Sequence, residues 1–351
     1  MIAPLWPKLN RLVGSRERRD TLAPRWKGTP WLLGLCRMGL RTKRDGHRTS
    51  RRRVAPIAAV LAFTAAHPEP ARGQTTAVTD APREIVPSVF VVASPTANVL
   101  VRLGEKESLV VGPPYEALVS AATRLMQNRA VRVTFVVLTA TEDAPRLLDG
   151  GWGHAGALTL AQENLRYLLL RALASHEGPA GAIPRESPTV GFSEVIQLAL
   201  SGDDAHVVHQ QPAYSSADVI VHLEREHVIY MGNIYVSDGY PNIDVQRGGS
   251  LAGMISGVDF FVKNFGMDTL MQFVPGRGPV TRSQALRTYR DMLIAVRDTL
   301  RLLMAQGRSE TEVLAAQPTR ELDPVWGHGS VSASQFVSSA YRSLQASASR
   351  K

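Results

Sequence analysis

Residues 98–111 read NVLVRLGEKESLVV. Two runs of apolar, largely branched residues, 98–103 and 108–111, are separated by Gly104-Glu105-Lys106-Glu107, a turn of hairpin length. Alternating or continuous branched apolar residues on both sides of such a turn predict a β-hairpin. Just upstream, VFVVA at 89–93 predicts another strand. Downstream, Leu118, Ala121, Ala122, Leu125 and Met126 recur at helical spacing. VRVTFVVL at 131–138 is an unbroken β-branched run, as expected of a strand covered on both faces.

The same alternation continues. Leu158, Ala161, Leu165, Leu168 and Ala172 predict an amphipathic helix, and a Gly/Pro-containing connection follows at 178–188. HVVH at 206–209, VIVHL at 219–223 and VIYMG at 228–232 predict strands, the last two flanking the charged turn Glu224–Glu226. Residues 251–265 are helical in pattern, and TLMQFV at 269–274 predicts a strand. Leu286, Tyr289, Leu293, Val296, Leu300 and Leu303 step by three and four along a long helix, with Gly307 placed to end it. One or two short helices are expected within 309–345. Two β-rich halves, each closed by helices, imply a layered α/β protein with two sheets inside.

Charge is distributed unevenly over the 351 residues. The net charge is +9, yet residues 1–73 carry 16 Lys+Arg against 4 Asp+Glu, so the rest is slightly acidic. A folded nucleic-acid-binding domain is therefore not indicated. Residues 38–73 have the form of a signal-peptide leader. Arg48, Arg51, Arg52 and Arg53 precede the apolar run 54–66, which is shorter than the roughly 20 residues a bilayer span needs. Residues 1–37, upstream of Met38, read as an over-long start or a disordered tail. The further divisions expected are a linker at 74–85, one domain at 86–308 and a helical extension at 309–351. Cys36, the only cysteine, lies before the leader, so thiolate chemistry is excluded from the exported chain. The leader predicts a periplasmic or secreted protein with no transmembrane helix after processing.

Several segments, in order, resemble the metallo-β-lactamase superfamily. Residues 98–111 and the strand ending at Leu138-Thr139 resemble its opening, and Gly150-Gly151 the glycine pair after its first metal motif. Ala213–Asp218 (AYSSAD) is similar to its A-H-T-x-x-D segment, and Tyr230–Asn233 to a strand end that closes on Gly-Asp. Gly248-Gly249-Ser250 and Pro275-Gly276-Arg277-Gly278-Pro279 resemble a G-G-S segment and a P-G-H-G-P loop. Residues 283–307 resemble the C-terminal helix of a periplasmic, quinoprotein-associated branch. The resemblance implies a four-layer αβ/βα sandwich: two mixed sheets flanked by helices.

It also implies zinc, held by imidazole and carboxylate groups at about 2.0–2.2 Å and supplying hydroxide near neutral pH. The ligand positions here do not carry those groups. Ala140, Glu142, Ala144 and Pro145 stand in the first motif, Tyr214 for the next histidine, Asn233 for the bridging aspartate and Arg277 for the final histidine. Ala and Pro have no ligating side chain, and a guanidinium repels a metal ion. Gly112 stands where the family usually has Asp. No zinc or other cofactor is expected.

Two readings of Arg277 are open. Its guanidinium occupies the place of the lost metal charge and pairs with Glu142, Asp143 or Asp218, leaving a pocket for an anionic ligand; or it is a solvent-exposed loop arginine. His206 and His209, three apart on a strand, point to opposite faces. His222 and His227 flank a turn without a third ligand, and His154 is the one histidine near the altered pocket. Ser215 and Ser216 lack a nucleophile elbow, and Asp218 is expected to keep a structural, hydrogen-bonding role. The function expected is a non-catalytic binding or structural module for an unidentified small molecule or protein. The alternative is a hydrolase of the same superfamily with a rearranged or metal-independent site.

Overall fold

The computed structural model describes residues 81–139, 156–174 and 190–348. Seven strands form one sheet in the order in which they occur in the chain. β1 (Arg83–Val86), β2 (Val89–Ala93), β3 (Asn98–Leu103) and β4 (Ser108–Gly112) make an antiparallel meander. β5 (Phe135–Leu138), β6 (Leu158–Gln162) and β7 (Val190–Phe192) then add in parallel. The parallel half needs crossovers. α1 (Glu116–Asn128) supplies the one between β4 and β5, while α2 (Glu163–Ala174) follows β6.

The second sheet has the order β12-β11-β10-β9-β8. β8 (Val195–Leu200), β9 (Asp203–His209), β10 (Val219–Leu223) and β11 (Val228–Val236) are antiparallel, and β12 (Gln272–Arg277) lies parallel to β11. α3 (Leu251–Phe265), α4 (Ser283–Ala305), α5 (Glu310–Ala315), α6 (Asp323–Trp326) and α7 (Ala333–Ala348) complete the described chain.

The inner strands of both sheets are buried on both faces, which explains why they read as continuous apolar runs. Successive side chains of a strand point to opposite faces. On β3, Leu100 therefore enters the layer between the sheets with Leu109, Val137, Val207, Val221 and Val274. Its neighbours Val99 and Val101 pack outward against Leu118, Ala122 and Leu165 of α1 and α2. On the far side, Val208, Ile220 and Ile229 meet Met254, Phe261, Leu293 and Phe336 from α3, α4 and α7. The result is helix, sheet, sheet, helix: the expected four-layer αβ/βα sandwich with two mixed sheets.

Some local expectations shift. Leu158–Gln162 is a strand, not the start of a helix, because it pairs with β5 and β7; the helix begins at Glu163. The strand expected at 269–274 runs instead over Gln272–Arg277. Within 309–345 there are three helices rather than one or two, and the last supplies core residues. Gly307, at φ 76°, ends α4 as expected, with its amide and that of Arg308 bonded back to Met304 and Leu303. No described helix is long and apolar enough to cross a membrane.

Candidate functional site

Several strand ends converge at one edge of the sandwich. β3 begins there at Asn98, and the last residue of β4, Gly112, is paired with Leu138 of β5. Across the interlayer, the Tyr230 phenol donates to the Asn98 carbonyl at 3.2 Å. The Asn98 side chain donates from Nδ2 to the carbonyls of Pro275 (3.0 Å) and Gly278 (2.8 Å). These bonds tie the first sheet to the loop that ends β12. Burial pushes the Tyr230 phenol up to about 12, so it stays a neutral donor.

Gly112 has a structural reason to depart from the acidic residue of the resemblance. Its φ is +147°, and a Cβ there would lie 2.8 Å from Val99 Cγ2 and 3.0 Å from the Asn98 carbonyl oxygen. No side chain fits without moving β3.

The 213–218 loop is held from within. Both Asp218 oxygens accept bonds: Oδ2 from the Ala213 (2.9 Å) and Ser215 (3.0 Å) amides, Oδ1 from the Ser215 amide and hydroxyl (both 3.2 Å). Asp218 is buried and keeps the structural role expected of it. Ser215 Oγ also accepts from the Ala217 amide at 3.1 Å, so the hydroxyl is committed to the turn. The Ser216 carbonyl faces His209 Nε2 at 3.0 Å and accepts from Asn164 Nδ2 at 2.8 Å. Tyr214 is buried in the cluster formed with α3, α4 and α7.

Arg277 closes the edge. It is buried, which excludes the reading of a solvent-exposed loop arginine. Its Nε donates to Asp238 Oδ1 at 2.9 Å and its Nη1 to the Ser330 hydroxyl. Its carboxylate partner is therefore Asp238 and not Asp218, whose oxygens serve the 213–218 loop. Glu142 and Asp143, the other expected partners, lie outside the described residues, as do Ala140, Ala144, Pro145, Gly150, Gly151 and His154. The Asp238–Arg277–Ser330 set joins the loop after β11, the end of β12 and the segment before α7. Asp238 was missed in the sequence. The only signal there was Asp238-Gly239, a turn dipeptide, which marks a bend but names no partner.

The remaining histidines sort by face. His206 and His222 lie opposite one another on β9 and β10, with ring centroids 6.1 Å apart, under Phe265 of α3. His209 turns the other way, as expected of a residue three positions from His206. His227 does not approach a metal-like partner set; it pairs with Asp268 at 2.7 Å.

Three ligand positions of the resemblance are described: Tyr214, Asn233 and Arg277. They offer a buried phenol, a neutral amide and a cation already paired with a carboxylate. That donor chemistry does not fit a zinc ion, which needs imidazole, thiolate or carboxylate groups around it. Among the described residues, no group of three or more His, Cys, Asp or Glu side chains is placed to hold a metal.

No protein-family model matches the sequence, and no curated protein is similar to it. Solved structures are. The stereoselective inverting sec-alkylsulfatase Pisa1 from Pseudomonas sp. aligns at 14% identity and a TM-score of 0.56 over 74% of this chain. The match takes in 49% of the alkylsulfatase, so the chain corresponds to about half of that protein's length. A metallo-β-lactamase from Pontibacter korlensis aligns at 16% identity and a TM-score of 0.48, over 60% of this chain and 97% of that one. VMB-1 aligns at 15% identity and 0.47, over 61% and 95%. With its two facing mixed sheets, its outer helices and its loops gathered at one edge, the chain has the metallo-β-lactamase fold.

Proposed function

We propose that this chain is an exported, non-catalytic module of the metallo-β-lactamase fold, whose altered edge binds a partner or ligand instead of activating water on zinc. One observation carries the reading: Arg277, which stands where the resemblance expects the final metal ligand, is a buried cation with its own counter-ion in Asp238 and a second contact in Ser330. A fixed guanidinium cannot ligate, and it raises the energy of any dication brought close to it. The same group crosslinks three loops, the mechanical task that a metal performs in a loop-built site. The Asp218 and Ser215 bonds support the reading further, because they commit the Ser215 hydroxyl to turn geometry. The signal-peptide form of residues 38–73 supports export to the periplasm or outside the cell.

The test is metal content together with turnover. Full-length protein is purified, its zinc, iron and manganese are quantified, and hydrolysis of β-lactam, ester, thioester and alkyl sulfate substrates is measured with and without chelator. Sub-stoichiometric metal and no chelator-sensitive turnover are expected. Stoichiometric metal with chelator-sensitive hydrolysis would overturn the proposal in favour of a hydrolase with a rearranged site. Turnover that persists in chelator would favour a metal-independent one.

A further inference from the structure

Among the described residues, six large hydrophobic side chains stand out in solvent. Leu158, Tyr167, Leu302 and Val325 lie on four different elements, and apolar residues scattered in that way are ordinary. Met267 and Leu270 differ, because both lie on the short loop that joins α3 to β12. They are 87% and 61% exposed, and Met267 is the most exposed of the six. The loop precedes β12, at the end of that strand away from Arg277.

The loop is built to hold these side chains out. Asp268 accepts the Leu270 amide on Oδ1 at 2.9 Å and faces His227 Nδ1 with Oδ2 at 2.7 Å. Its amide donates to the Phe265 carbonyl at 3.1 Å, and its carbonyl accepts from Met271, which turns into the core. Two cations reach the loop from α4 and the residue before it. Arg282 donates from Nη1 to the Thr269 carbonyl, and Arg287 from Nη2 to the Gly266 carbonyl at 2.6 Å. A Cβ at Gly266 would lie 2.9 Å from Arg287 Nη2 and 2.1 Å from the Val262 carbonyl oxygen, so only glycine allows this approach. Each guanidinium spends one N–H on the loop and keeps the others. Among the described residues, neither arginine is in an ion pair. The loop's own carboxylate, Asp268, is already committed to Leu270 and His227.

We propose that the 266–271 loop is a membrane-contact site, which places Met267 and Leu270 in the surface of an anionic bilayer with Arg282 and Arg287 at the level of the lipid phosphates. Apolar burial and attraction to anionic headgroups add in such contacts. Two side chains and two charges make each contribution small, so the surface needs both. The backbone bonds fit the task, since carbonyls and amides satisfied within the loop lose little when water is displaced. Guanidinium groups with free N–H donors match phosphate oxygens. This site lies away from the altered ligand positions, so it goes beyond the module reading, and neither stands or falls with the hydrolysis assay.

The experiment must read the loop itself, because the basic segment 1–73 attracts anionic vesicles on its own. Full-length protein carrying Cys36→Ser and Thr269→Cys is labelled on the loop with an environment-sensitive fluorophore and titrated with phosphatidylglycerol-containing vesicles. A second protein carries the label at Leu302→Cys, roughly 20 Å along α4 from Arg287 at about 1.5 Å per residue. A blue shift is expected from the loop label and none from the α4 label. Adding Met267→Ser and Leu270→Ser is expected to remove the loop shift while the leader still holds the protein to vesicles. Adding Arg282→Gln is expected to raise the vesicle concentration needed for the shift by roughly fivefold. No loop shift would overturn the proposal and leave Met267 and Leu270 to a protein partner or a second copy of the chain. An equal shift at Leu302, a shift that survives the two serines, or one unchanged by Arg282→Gln would overturn it as well.

Discussion

Replacing His222 with leucine should flatten the acid side of the stability profile. His222 is 1% exposed on β10, between His206 and Phe265, and neither ring nitrogen has a hydrogen-bond partner. Burial, reinforced by the neighbouring His206, pushes its pKa down from 6.5 to about 4. The sign follows from linkage. The folded protein resists the proton that the unfolded chain accepts, so stability is complete above the unfolded value near 6.5 and is lost as pH falls toward 4. A shift of about 2.5 units at 1.36 kcal/mol per unit is worth about 3 kcal/mol over that window. At about pH 5, some 1.5 units below the unfolded value, the loss is about 2 kcal/mol. His222→Leu removes this term and also two unpaired buried nitrogens, so the variant should be no less stable than wild type near neutrality. Urea unfolding of both proteins at about pH 7.5 and about pH 5 measures the difference. The variant's advantage should grow by about 2 kcal/mol toward the acid value. Parallel profiles, within about 0.5 kcal/mol, would refute a buried neutral His222 as the source of acid lability.

Arg277→Met should cost about 1–3 kcal/mol; the estimate is held down because Asp238, with 37% of its side chain exposed, can rehydrate when its partner goes. Arg277→Lys should recover little of this, since one ammonium cannot span Asp238 and Ser330 as the guanidinium fork does; denaturant midpoints of the three proteins decide it. Asp218→Asn should destabilise the 213–218 loop by about 1–3 kcal/mol, because an amide nitrogen would replace one of two oxygens that both accept; amide exchange at Ala213 and Ser215 reports it directly. Restoring the acidic residue with Gly112→Asp should lower stability by about 2 kcal/mol or more, since the new Cβ meets Val99 and the Asn98 carbonyl. An unchanged melting temperature would show that β3 and β4 part at no cost.

The layered architecture was legible because it rests on local periodicity. Residues 98–103 alternate between two buried environments, and α4 steps by three and four. Where a pattern satisfied two periods, the sequence misled: Leu158, Ala161 and Leu165 fit a helix, yet β5 and β7 on either side claim Leu158–Gln162 as a parallel strand. The residue types at the positions where the resemblance expects ligands could be read directly from the sequence. Their surroundings could not. Tyr214 gave no sign that it enters the α3–α4–α7 cluster, nor Arg277 that it would be buried.

The sequence by itself determined the alternation of strands and helices, the two-sheet layering and the residue types Tyr214, Asn233 and Arg277 that stand where the resemblance expects metal ligands. Only the tertiary structure decided what those residues do instead. Arg277 meets Asp238 across 39 residues, and Asn98 meets Pro275 across 177. Periodicity reports which face of an element is buried, because burial repeats along the element. It carries no information about which remote donor finds which acceptor, since that depends on how the chain closes, and a single charge pair or amide leaves no repeat to read.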